Sequence, residues 1–63
     1  MNKKQREQIE SYLNYWNDRA DKSAKIGDDR AGIESAAAFN AVSLALRTLG
    51  YNVRFVSESV HVD

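Results

Sequence analysis

One histidine, nine carboxylates and nine Lys or Arg side chains are the stock from which any chemistry in this 63-residue chain must be drawn. A hydrolytic triad needs a base beside its nucleophile. The only imidazole is His61, which falls in an alternating apolar–polar stretch and reads as a strand-surface residue. Two carboxylate pairs occur. Asp28-Asp29 precedes a helical pattern and reads as capping, which places negative charge where the helix dipole favours it. Asp18 and Asp21 each have a lysine four residues on, Lys22 and Lys25, and read as solvated ion pairs on one helix. Gly27, Gly32 and Gly50 lack the spacing of a phosphate-binding loop. Cysteine is absent, which excludes disulfides, thiolate zinc sites and iron–sulfur clusters. The expectation is a non-enzymatic protein with no catalytic, cofactor-binding or metal-ligating set.

The basic residues suggest a different chemistry. Lys3, Lys4, Arg6, Tyr15, Arg19 and Lys22 form a candidate nucleic-acid contact set, because aromatic rings beside cations can stack bases. Against it, Glu7, Glu10, Asp18 and Asp21 are interleaved with them and the net charge is zero. A balanced chain lacks the long-range field expected of a protein that lives on phosphate or anionic lipid. No apolar run approaches the roughly 20 residues a membrane span requires. The start, Met1 to Glu7, is basic but is followed by polar residues rather than an apolar signal core. With no cysteine, a reducing cytoplasm is the expected location.

The elements that would position these groups are marked by periodicity and caps. Asn2 with Gln5 reads as a capping box, and Ile9, Tyr12, Leu13, Trp16, Ala20 and Ala24 recur as one stripe. Gly27 supplies a left-handed stop, so a first helix is expected over about residues 3–25. A second, capped by Asp28 or Asp29, is expected over about 30–49, with Leu46 to Tyr51 forming a Schellman close on Gly50. Residues from about 51 to 62 alternate as a strand does, yet the alternation changes phase. Tyr51, Val53 and Phe55 share one parity, whereas Val56, Val60 and Val62 share the other. Ser57-Glu58 is poor chemistry for a tight turn, so a loose hairpin or a single kinked strand is expected.

The second helix carries the most informative pattern. Phe39, Val42, Leu46 and Leu49 form one stripe, flanked by Ala38 and Ala45, while Ile33, Ala37, Ala41 and Leu44 form another. Together they span roughly 240°, against a little over 100° for an ordinary surface helix. The polar remainder is Asn40, Ser43 and Arg47. One helical neighbour cannot cover so wide an arc. Either the C-terminal segment covers the rest, or a second copy of the chain does, through close helix approach at Ala37, Ala41 and Ala45 or through pairing of twofold-related strands.

The expected fold is therefore α+β, a two-helix antiparallel hairpin followed by a short C-terminal β-hairpin or strand, in a single small domain spanning residues 1–63. Its core would set Ile9, Leu13, Trp16 and Ala20 against Phe39, Val42, Leu46 and Leu49, with Tyr51, Val53 and Phe55 closing one end. The expected function is protein–protein interaction, with the chain itself (a homodimer) or another protein as partner. The expected interface residues are Ile33, Ala37, Ala41, Leu44, Val60 and Val62. The alternative is a weak nucleic-acid-binding accessory protein of a bacterial or prophage system. Stretches such as Ala38-Phe39-Asn40-Ala41 and Leu49-Gly50-Tyr51-Asn52-Val53 resemble those of many short bacterial or prophage reading frames, but they carry no functional motif.

Overall fold

A computed structural model describes residues 1–63, in the order helix, helix, strand, strand. Helix α1 runs Lys3–Ile26. Its start is the expected capping box: the Asn2 carboxamide oxygen accepts the Gln5 N–H at 2.8 Å, and the Gln5 side chain accepts the Asn2 N–H at 3.0 Å. Gly27 ends it with φ of 74°, a conformation that costs other L-residues steric energy. Helix α2 runs Asp29–Thr48, and the Asp28 carboxylate accepts the Ala31 N–H at 3.1 Å. It closes in a Schellman motif. The Tyr51 N–H donates to the Leu46 carbonyl at 2.9 Å and the Gly50 N–H to that of Arg47 at 3.0 Å, with Gly50 at φ 94°.

Strands β1 (Val53–Val56) and β2 (Ser59–Val62) form an antiparallel hairpin in which Val53 faces Val62 and Phe55 faces Val60. This register accounts for the phase change in the sequence. A two-residue connection pairs odd positions with even ones, so Val53 and Phe55 share a face with Val62 and Val60. The turn is tighter than its composition suggested. Ser57 and Glu58 both have positive φ, 51° and 68°, as a type I′ turn demands. Ordinary L-residues in that region carry roughly 1–2 kcal/mol of strain each. The right-handed twist of the hairpin and its packing on α1 hold them there.

The core sits where the three layers meet. Leu13 of α1, Leu46 of α2, and Val60 and Val62 of β2 are buried, with Ile9, Phe39, Val42, Tyr51 and Val53 packed around them. Each fully buried aliphatic side chain contributes about 2 kcal/mol of hydrophobic stabilisation. Further along, the seam between the helices is made of small residues. Ser23 and Ser35 are buried there, and a methyl group on Gly32 would meet the Ser23 Cβ at 3.7 Å. Each serine hydroxyl donates to the carbonyl one turn back, at 2.7 Å, and so stays paired away from water.

Four expectations require correction. Val60 and Val62, expected at an interface with a partner, lie inside this chain's own core, because the turn inverts their parity. Leu49, expected in the core, is 74% exposed, because it is the α2 cap where the chain already turns away. Ser43, expected on a polar strip, is buried beside the seam. Tyr12 and Phe55 are more exposed than a core stripe implies, since each sits at the rim of its contact. No helix is long and apolar enough to cross a membrane.

Candidate interaction surfaces

The hairpin is fastened to α1 by side chains that imitate a neighbouring strand. The Asn14 carboxamide oxygen accepts the Val60 N–H at 2.7 Å, and its nitrogen donates to the Val60 carbonyl at 3.2 Å. One turn earlier, the Glu10 carboxylate accepts the Val62 N–H at 2.8 Å, and His61 Nδ1 lies 3.7 Å from the same oxygen. These bonds satisfy backbone groups that an edge strand ordinarily leaves to water. They also reveal the orientation of the sheet. Val60 turns both its backbone groups toward α1, so Val60 and Phe55 form a non-hydrogen-bonded pair. Phe55 must then aim its own N–H and C=O away from β2, out of the free side of β1, and Val53 does the same opposite Val62. No side chain of this chain reaches those groups.

The second surface is the outward stripe of α2. At 100° per residue the packed positions (Gly32, Ser35, Phe39, Val42, Ser43 and Leu46) cover one side, and Ile33, Ala37 and Leu44 fall diametrically opposite. Exposure follows that geometry: Ile33 is 70% and Leu44 66% exposed, and Ala37 and Ala41 are exposed beside them. The C-terminal hairpin therefore leaves this stripe uncovered. It lies against α1 and reaches α2 through β1, where the Phe55 ring stacks on Phe39 at 5.9 Å.

A third surface holds the aromatic and basic residues of α1. Tyr15 and Tyr12 meet the Trp16 ring edge-on at 5.1 and 5.9 Å, and the Arg19 guanidinium lies 5.4 Å from the Trp16 centroid. The cations here are partnered. Arg19 lies 3.4 Å from Glu34, Lys22 is 2.9 Å from Asp18, and Lys25 is 3.0 Å from Asp21. The hydrogen bond that the Lys22 ammonium donates to the Asp18 carboxylate raises its pKa above the ordinary lysine value. Arg6 falls on the opposite side of α1 from Tyr15 and Lys22 and Lys3 about a third of a turn round from them, while Lys4 shares their side. The six residues proposed for nucleic-acid contact are thus not gathered on one face.

Two polar grooves also flank the hairpin. The larger, about 610 Å³, lies between α1 and the hairpin and is lined by Asn14, Asn17, Asp18, Asp21, Lys25, Phe55, Glu58 and Ser59. Its acids include the two already paired with lysines, and no group of three or more His, Asp or Glu side chains is arranged to hold a metal ion. The other brings Ser11 and Ser59 near His61 and Glu10, but neither hydroxyl is hydrogen-bonded to the imidazole, as an activated nucleophile would be.

Sequence reasoning found the α2 stripe but missed the Asn14–Glu10 clamp. The available signal was Glu10, Asn14 and Asn17 recurring on one flank of an otherwise apolar stripe, which marks a side of α1 that meets backbone rather than side chains. Compared with known proteins, the chain matches no family model, no curated protein and no solved structure.

Proposed function

We propose that this chain is a non-enzymatic protein–protein interaction module that self-associates through the outward stripe of α2. The observation that carries the reading is the position of Ile33, Ala37, Ala41 and Leu44. They lie opposite the packed face of the helix, and the chain's own hairpin, the one segment able to cover them, is engaged elsewhere. Surface leucines and isoleucines occur singly on most proteins, but a contiguous apolar stripe marks a contact site. Alanines at its centre permit two helices to approach to about 8 Å, the near limit of helix packing.

Sedimentation equilibrium across the micromolar range tests this. The expected result is a mass above the 7.1 kDa of one chain, returning to one chain's mass on Leu44→Glu. A single-chain mass at all concentrations overturns the reading. The nucleic-acid alternative predicts salt-dependent binding of a labelled oligonucleotide, weakened by Arg19→Ala. It is the poorer reading, because Arg19 and Lys22 already face carboxylates.

A further inference from the structure

The sheet has two edges, and α1 closes only one of them. Asn14 and Glu10 occupy the outer backbone groups of β2, whereas the N–H and C=O of Val53 and Phe55 on β1 point outward unpartnered. The flanking side chains suit a further strand. Phe55 is 59% exposed, and Val56 is also exposed. Arg54, which would meet like charge in some registers, is neutralised by a two-pronged contact with Asp63 at 3.0 and 2.8 Å.

We propose that β1 pairs antiparallel with β1 of a second copy across a twofold axis at Arg54, which sets Val53 of each copy against Phe55 of the other and makes one four-stranded sheet. The inference takes its partner from the self-association reading and adds a second, independent contact. Three observations favour a second copy over any other extended segment. The first is closure: each chain has one open edge, so two copies exhaust the pairing and no fibre follows.

The second is coincidence of axes. The open edge of β1 and the outward stripe of α2 both face away from α1, and the Phe55–Phe39 stack fixes β1 at the level of Phe39. The stripe is symmetric about that level: Ile33 and Leu44 lie equally far from a midpoint between Ala38 and Phe39. A twofold there sets Ile33 of one copy against Leu44 of the other, with Ala37 and Ala41 nearest the axis.

The third is charge. Asp29, Arg30 and Arg47 have no ion-pair partner within the chain. Asp29 and Arg47 stand on one line along α2, 18 residues or about five turns apart, and Asp29 lies beside Arg30, where it offsets the like charge that Arg30 presents toward Arg47. The same axis brings Asp29 of each copy to Arg47 of the other at both ends of the helix pair.

The surface area agrees. The chain exposes 4616 Å², where a compact monomer of its mass exposes roughly 4,100 Å². A standard interface takes about 800 Å² from each partner, more than one short strand can supply, so helix and strand together are needed.

Amide hydrogen exchange on the full, isotope-labelled chain reads the proposed atoms directly, with mass measured by sedimentation on the same samples. The expected result is protection of the Val53 and Phe55 amides at millimolar concentration that disappears on dilution to the monomer. Val53→Pro removes one outward N–H while leaving the intrachain ladder intact, and is expected to weaken association about tenfold. Asp29→Arg is expected to weaken it as well, with recovery on adding Arg47→Asp. Self-association with freely exchanging Val53 and Phe55 amides overturns strand pairing while leaving the α2 reading in place. Protected amides with association unmoved by Leu44→Glu uphold strand pairing and overturn the α2 reading alone. A single-chain mass at every concentration overturns both.

Discussion

Single side chains decide whether this small fold holds together, and three make opposite predictions from burial and partnership. The Asn14 carboxamide serves both backbone groups of Val60, and its nitrogen also donates to the Glu10 carbonyl at 2.8 Å. Asn14→Ala leaves a part-buried N–H and C=O without partners and is expected to cost about 2 kcal/mol in a urea titration. Ser43 is the reverse case. Its hydroxyl is buried with no partner in the protein, so Ser43→Ala is expected to be neutral or to stabilise by up to about 1 kcal/mol. Gly32 sits within α2, where an added Cβ meets Ser23 at an ordinary contact distance of 3.7 Å. Gly32→Ala is expected to gain about 1 kcal/mol of helix propensity, visible as a higher midpoint. The cost of Gly32 to the helix follows from its type, but the roles of Asn14 and Ser43 were not legible from theirs. Ser43 looked like part of a polar strip because periodicity assigns faces by hydropathy, and a seam that requires small volume accepts serine as readily as alanine.

At the scale of elements, the sequence spoke clearly wherever backbone geometry demands a particular residue. Asn2 with Gln5, Gly27, Asp28 and Gly50 placed both helices to within a residue or so, since caps and left-handed positions admit few substitutes. The turn between β1 and β2 was harder to read, because Ser57 and Glu58 are not residues that adopt positive φ readily. Strand register and helix packing impose that conformation, a tertiary constraint that propensity cannot register. Relief of the strain is therefore available. Ser57→Asn with Glu58→Gly is expected to stabilise the hairpin by at least about 1 kcal/mol, read as slower exchange of the β-ladder amides. The same turn explains why Val60 and Val62 were misplaced. Assigning faces by parity works along one strand, and a two-residue turn reverses it on the next.

For the molecule as a whole, the wide apolar arc of α2 was legible in the sequence, and the two ways of covering it were not equally so. The hairpin's loyalty to α1 depends on Glu10 and Asn14, which meet backbone 52 and 46 residues away and show in the sequence only as a polar flank beside the apolar stripe. That separation has a consequence for how the chain acquires its shape. The helices can form as soon as residues 1–50 exist, yet two of the four buried apolar residues, Val60 and Val62, arrive only afterwards. A chain interrupted before Val60 would hold paired helices with Leu13 half undressed and two polar side chains reaching for a strand that has not been made. Removal of residues 57–63 is accordingly expected to abolish cooperative thermal unfolding while sparing much of the helical circular dichroism. The strand synthesised after the helices acts as the latch on an assembly whose frame is already standing, and nascent chains waiting for it are the form most exposed to proteases and chaperones.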